Sequence, residues 1–296
     1  MLGRLLAAVK VQVSAWRVPP SIDAVAWQAV LARYDFLSAL DAADQAHLKT
    51  LAAHFLAHKE FCGAHGLQIT DEMALCIAAQ ACLPILHIAP RAKPRQALSW
   101  YADFVGIVMH PGTMRARRSA VDAAGVAQNW TEDISGEAMD GGPLALSWQD
   151  AAGKSAAADN KTNSGGSMVF GQGDTVDSKQ TPYNVVIHEF AHVIDMRTGS
   201  ANGCPALPDN FCGIQSRAKA ARHWQSTLTQ VFEAQQEAVS LHERFDAPAP
   251  LLDAYASTNP AEFFAVAAEA YFTQRSAFAA AHPALLTLFD GFFRPR

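Results

Sequence analysis

Apolar positions recur at helical spacing through the first hundred residues. A segment opened by Ser21 and Asp23 runs to about Arg33, with Val25, Val30 and Leu31 among its apolar positions. Asp41 opens a second, in which Leu48, Leu51, Phe55 and Leu56 keep the helical period. Thr70-Asp71-Glu72 starts a third ahead of Met73-Ala74-Leu75-Cys76-Ile77, and Pro84 ends it, because proline disfavours helical backbone in the residue before it. From about residue 101 the pattern shortens. Phe104 to Met109 is an apolar run bounded by His110-Pro111-Gly112, as a buried strand would be. Val126 to Trp130 and Leu144 to Trp148 are two further predicted strands, the latter preceded by a turn at Gly141-Gly142-Pro143. These elements predict a small sheet packed against helices, an α+β fold.

Residues 151–180 break both periods with a polar stretch rich in Gly, Ser, Asn and Ala. A loop of that length reads first as a disordered insertion and second as a cover over a site, an alternative that Met168-Val169-Phe170 inside it keeps open. Helical spacing then resumes. Thr181-Pro182 is a cap and first-turn pair for a helix through Asp195, and Gly199 and Gly203 break the pattern beyond it. A longer helix covers about Gln215 to Val239, Asn259-Pro260 starts one to about Thr273, and a last helix comes after Pro283. No internal repeat is visible.

Composition narrows the functional classes. Half of the 296 residues are apolar and 17% are charged, which suits a folded globular chain. With 23 basic and 28 acidic side chains the net charge is −5, and no basic block marks a nucleic-acid surface. Arg115-Ala116-Arg117-Arg118 is short and reads as a solvated loop or strand end. The five cysteines (62, 76, 82, 204 and 212) show no C-x-x-C spacing and read as buried or partly buried thiols in a reducing compartment. The run Leu5 to Val9 is too short for a signal-peptide core, and Met73 to Ala89 carries Gln80, Pro84 and His87, so a cytoplasmic chain without a membrane span is expected.

His188-Glu189-Phe190-Ala191-His192 carries the chemistry. Residues four apart lie one above the other on a helix, so two imidazoles can converge on one ion, and zinc accepts such nitrogens. Glu189 stands ~100° around the helix, beside the ion and able to take a proton from water. With eleven histidines in the chain, this pattern arises by chance roughly once in seventy such sequences. Its flanks, Val185-Val186-Ile187 and Phe190, Ala191, Val193 and Ile194, make the helix apolar nearly all round, and polar groups buried there need partners. His54 and His58 share the four-residue spacing but have no carboxylate between them, and read as a surface face. A catalytic zinc needs a third protein ligand. Glu262 and Glu269, seven apart on one face of a second apolar helix, are the candidates, and spacing does not choose between them. Glu262 has a rival role, closing a capping box on Asn259. No G-x-S-x-G elbow or phosphate loop offers another chemistry.

Asn184 to Asp195, Asn202-Gly203-Cys204-Pro205, Asp253-Ala254-Tyr255 and Pro260 to Glu269 together resemble the Mlc titration factor A family of bacterial zinc peptidases. The likeness is strongest over 181–275 and extends weakly over the helical front. The catalytic half is also similar to the metalloprotease domain of anthrax lethal factor, whose partner helix has a comparable Glu-Phe-Phe-Ala stretch. The resemblance implies one zincin-like peptidase domain over 1–296, with a helical front at about 20–100, a sheet at 101–150, the insertion at 151–180 and site helices at 181–197 and 259–273. It implies one Zn²⁺ per chain held by His188, His192 and Glu262, with Glu189 as general base. It also implies that Tyr255 assists the transition state and that Glu269 stands behind the ligands, while Asp195 is expected to orient a ligand imidazole. Peptidase activity on small peptides, aminopeptidase or endopeptidase, and contact with a glucose-responsive transcriptional repressor are implied by the same resemblance. The insertion is longer than the family's usual connection. An extended substrate is expected to pair with an edge strand near Leu144 to Trp148.

Overall fold

In the computed structural model the polypeptide is described over residues 19–121, 127–139, 141–152 and 184–295. Three helices open it, α1 (Ala24–Arg33), α2 (Asp35–Ser38) and α3 (Ala42–His58), and lead into strand β1 (Glu60–Gly63). Helices α4 (Asp71–Cys82) and α5 (Pro94–Leu98) come next, then strands β2 (Gly106–His110), β3 (Met114–Val121), β4 (Ala127–Ile134), β5 (Gly136–Ala138) and β6 (Leu144–Ser147). The remaining helices are α6 (Trp148–Ala151), α7 (Val185–Asp195), α8 (Arg217–Phe245), α9 (Pro260–Thr273), α10 (Arg275–Ala281) and α11 (Pro283–Phe293). The result is a predominantly helical, zincin-like α+β fold with a small mixed sheet.

The sheet runs β1-β2-β6-β5, with β1, β2 and β6 parallel and β5 antiparallel to β6. Strands β3 and β4 form a separate antiparallel ribbon, in register from Met114 opposite Ile134 to Val121 opposite Ala127. Helix α7 is sandwiched between the sheet and the other helices, packing on α9, α4, β5 and β6. Phe190 on its inner side meets the rings of Tyr101, Phe55 and Phe104 at centroid distances of 4.8, 5.7 and 6.0 Å, which ties α7 to the front helices. Behind α9, Trp224 of α8 stacks on Phe289 at 5.9 Å and meets Phe264 edge-on at 6.0 Å. Site and scaffold share one apolar core.

Most predicted helices are present, and the departures have local causes. Thr70 caps α4 by accepting from the Met73 N–H, and α4 ends at Cys82, two residues before Pro84. Helix α8 runs six residues past Val239 and stops only where Asp246 turns left-handed at φ 54°. Strand β2 starts at Gly106, two residues later than expected, since the Phe104 carbonyl accepts from Lys59 Nζ. Strand β6 ends at Ser147, whose hydroxyl caps α6, so Trp148 is helical. Val126 lies outside the described residues, and β4 extends to Ile134. The arginine-rich stretch 115–118 belongs to β3 and is paired along its length with β4, where a loop or strand end was expected. Strands β1 and β5 and helix α10 carry too little periodicity to have been expected.

Thr181-Pro182 and nearly all of the 151–180 insertion lie outside the described residues. Helix α7 begins at Val185, with Asn184 as its cap. Cys76 and Cys82 are buried, but Cys62 and Cys212 are exposed, contrary to expectation; the five thiols are free. His54 and His58 are half-buried and not on an open face, with His58 Nδ1 2.6 Å from the His54 carbonyl oxygen. Among the described residues, no helix is long and apolar enough to cross a membrane.

Candidate metal centre

Two well-capped helices meet at the centre of the fold. Asn184 Oδ1 accepts from the Ile187 N–H at 2.9 Å and starts α7, every residue of which except His192 is buried. Asn259 Oδ1 accepts from Ala261 and Glu262 N–H at 2.9 and 3.0 Å, and Pro260 at the first helical position pre-sets α9. Asn259 thus caps the helix with its own side chain, and the Glu262 carboxylate faces α7. The ring of His188 lies 4.8 Å from that of His192, centroid to centroid.

The three side chains converge. Glu262 Oε2 lies 3.1 Å from His188 Nε2 and 3.2 Å from His192 Nε2, and the two nitrogens are 3.1 Å apart. They form the one cluster of three or more potential metal ligands found among the described residues. Ligand bonds of ~2.0–2.1 Å in tetrahedral geometry place neighbouring donor atoms roughly 3.3 Å apart, so the observed triangle has the size for zinc. Its chemistry fits as well. Neutral imidazole nitrogens and a carboxylate oxygen are all acceptors, and a divalent cation satisfies the three together. With protons in its place, the charges sort as the geometry dictates. Burial opposes charge on His188, but its bonds to Glu262 and Glu269 outweigh that and lift the ring to about 10. Burial works to raise the Glu262 carboxyl, yet the two imidazoles hold it well below the usual carboxylate range.

Glu269 takes up the other side of His188. Its Oε1 lies 2.6 Å from His188 Nδ1 and its Oε2 accepts from the Asn184 N–H at 2.8 Å. A carboxylate in that position keeps the proton on Nδ1 and turns the Nε2 lone pair toward the triangle. Of the two glutamates that spacing could not separate, Glu262 stands in the triangle with the two Nε2 atoms and Glu269 lies on the far side of the His188 ring.

Glu189 is 4% exposed and lies under strand β5. The Ala138 backbone N–H bonds to its carboxylate, and a Cβ on Gly136 would come within 2.5 Å of Glu189 Cγ and Oε1. Burial pushes its carboxyl up from the ordinary value. The Gly136 contact was not visible in the sequence, since it joins residues 53 positions apart with no motif at Gly136.

Asp195 does not bond an imidazole. At the last turn of α7 its Oδ2 accepts from Asn202 and Gly203 N–H at 2.8 and 2.7 Å, and its Oδ1 has no hydrogen-bond partner among the described residues. Gly203, at φ 79°, sits so close to α9 that a Cβ there would meet the Pro260 carbonyl oxygen at 2.5 Å. The Gly203 carbonyl in turn accepts from Trp224 Nε1 at 2.6 Å. Asp195 thus braces a turn wedged between α7 and the start of the Glu262 helix.

Tyr255 lies on a short turn, residues 254–257, with its ring centroid 6.2 Å from that of His188. Gln235 Nε2 donates to the Leu252 and Asp253 carbonyls, and Gln236 Nε2 to the Ser257 carbonyl, so α8 holds the turn at both ends. An open cleft of about 780 Å³ exposes these groups, lined by Gly136, Glu137, Glu189, Tyr255, Glu262 and Val266 among others. Its size suits a small ligand or a short peptide segment. Strand β6 pairs with β2 on one side and β5 on the other, so Leu144–Ser147 is not a sheet edge. Among the described residues the outermost strand of the sheet that lines the cleft is its neighbour β5.

Residues 13–294 match the model of the glucose-regulated metallo-peptidase M90 family. The chain is similar to proteins named Mlc titration factor A. It is 28% identical to that of Klebsiella pneumoniae over 269 residues, 90% of this chain and 85% of that protein. It is 27% identical to that of Escherichia coli O1:K1 over 282 residues, 94% of this chain and 90% of that protein. An uncharacterised Synechocystis protein is 29% identical over 248 residues, 83% of this chain and 75% of its own length.

Proposed function

The chain belongs to the glucose-regulated metallo-peptidase M90 family, and from that premise we propose that it is a zinc-dependent peptidase whose ion is held by His188, His192 and Glu262. The convergence of His188 Nε2, His192 Nε2 and Glu262 Oε2 within 3.2 Å carries the reading. Zinc in that position would supply Lewis acidity, acidifying water and polarising a peptide carbonyl. Glu189 takes the proton from the attacking water and returns it to the departing amine, a task that its burial favours. The hydroxyl of Tyr255, a residue that lines the same cleft, donates to the oxyanion as it develops. Strand β5 lines the cleft, and an extended peptide lying there would run beside it. The protein acts in the cytoplasm as one peptidase domain.

Metal analysis with and without a chelator, paired with a peptide-library assay, tests this. One zinc per chain and activity lost on chelation and restored by zinc are expected. Turnover that persists in the metal-free protein would refute it. A second reading, binding of a transcriptional repressor without catalysis, is favoured by the name its relatives carry, Mlc titration factor A. Glu189→Gln separates the two: repressor capture that survives this substitution while peptide turnover is lost assigns the partner role to the surface and the zinc chemistry to a separate activity.

A further inference from the structure

Helix α4 contributes no ligand to the centre, and it is buried almost throughout. Its buried part nevertheless carries one amide side chain, Gln80, which is 1% exposed.

Gln80 is fully engaged. Its Nε2 donates to the Cys76 and Ala151 carbonyls at 3.1 and 3.2 Å, and its Oε1 accepts from Asn184 Nδ2 at 2.8 Å. The Ala151 carbonyl also accepts from the Tyr34 hydroxyl at 2.9 Å. These partners set the amide's direction, because the reversed rotamer would press its oxygen against two carbonyl oxygens. Asn184 inherits that direction. With Nδ2 committed to Gln80, its Oδ1 is left to cap α7, and its backbone carbonyl accepts from the His188 N–H at 3.0 Å. Its backbone N–H then meets Glu269 Oε2, and Glu269 Oε1 meets His188 Nδ1. Gln80, Asn184, Glu269 and His188 are all buried, so each bond is made away from competing water.

We propose that Gln80 is a positioning residue for His188, acting through Asn184 and Glu269 to hold the imidazole with Nδ1 protonated and Nε2 aimed at the ligand triangle. The proposal rests on the reading of that triangle as a zinc site.

The test compares zinc affinity, by competition with a chromophoric chelator, and the NMR resonance of the His188 Nδ1 proton in the metal-free protein. Gln80→Leu removes the amide and takes away the acceptor for Asn184 Nδ2. It is expected to weaken zinc binding about tenfold to a hundredfold and to lose the slowly exchanging Nδ1 proton. Asn184→Asp keeps an oxygen to cap α7 but withdraws the donor to Gln80 Oε1, and is expected to do the same should Gln80→Leu fail to fold. Leu75→Ala, which cuts a buried apolar side chain elsewhere on α4, is expected to lower Tm while leaving both readouts in place. Zinc affinity within twofold of wild type in Gln80→Leu or Asn184→Asp overturns the proposal, as does an equal loss in Leu75→Ala. A wild-type protein that binds no zinc overturns the metal reading itself. In that event an unchanged Nδ1 resonance in Gln80→Leu overturns the relay as well.

Discussion

Gly136→Ala probes the placement of Glu189 without touching a ligand. The added methyl carbon would stand 2.5 Å from Glu189 Cγ and Oε1 and 2.7 Å from its Cδ. Ordinary contact begins near 3.4 Å, so the carboxylate must retreat by about an ångström. It is the end of a flexible side chain and can do so, but its bond from the Ala138 N–H is then broken or bent. A misplacement of ~1 Å in a reacting group costs about 10²-fold, or ~2.7 kcal/mol of transition-state stabilisation. The expected result is kcat on a fluorogenic peptide reduced about a hundredfold, with one zinc per chain retained and little change in Tm. Adding Glu189→Gln should cause no further loss beyond that of Glu189→Gln alone, since both changes disable the same group. A variant whose kcat stays within threefold of wild type would refute the placement of Glu189 under β5 as the reason for the glycine.

The other predictions concern the ligands and their protons. His188→Ala, His192→Ala and Glu262→Ala should each abolish stoichiometric zinc, read by atomic absorption, whereas Glu269→Ala should keep a weaker site; the reverse pattern for the two glutamates would exchange their roles. Zinc must displace the proton that His188 holds up to about pH 10, so apparent zinc affinity should climb as pH rises from 6 to 9, by about tenfold per unit for each proton released. Chelator competition across that range checks it, and a flat profile would contradict it. Tyr255→Phe should lower kcat by about tenfold to a hundredfold with KM little changed; an unaltered kcat would return the ring to packing.

The chemistry was more legible than the frame that supports it. His188, Glu189 and His192 stand out because a helix converts a four-residue spacing into a shared face, and Asn259-Pro260 announces the helix of Glu262. Spacing left Glu262 and Glu269 level and only the resemblance favoured Glu262, because which carboxylate meets the two imidazoles depends on how α9 packs against α7, which no local pattern contains. Strand β1, four residues with three exposed, has no alternation to detect, and β5 is only three residues long. Asn184 carried a usable signal, a capping side chain directly ahead of Val185, but Thr181-Pro182 offered the same signal three residues earlier. Gln80 and Gly136 acquire their roles only from contacts across 104 and 53 positions, so nothing in their own neighbourhood marks them.

The second imidazole and Glu262 are separated by 70 residues of chain, most of them in α8 and the turns around it. A ribosome that has released α7 but not yet α9 has released two of the three proposed ligands, His188 and His192. On the proposed reading the metal site is complete only when α9 has docked on α7, because Glu262 is the one member of the cluster that α7 does not carry. A single nick between residues 196 and 259 would leave the two imidazoles and the Glu262 carboxylate on separate pieces of chain.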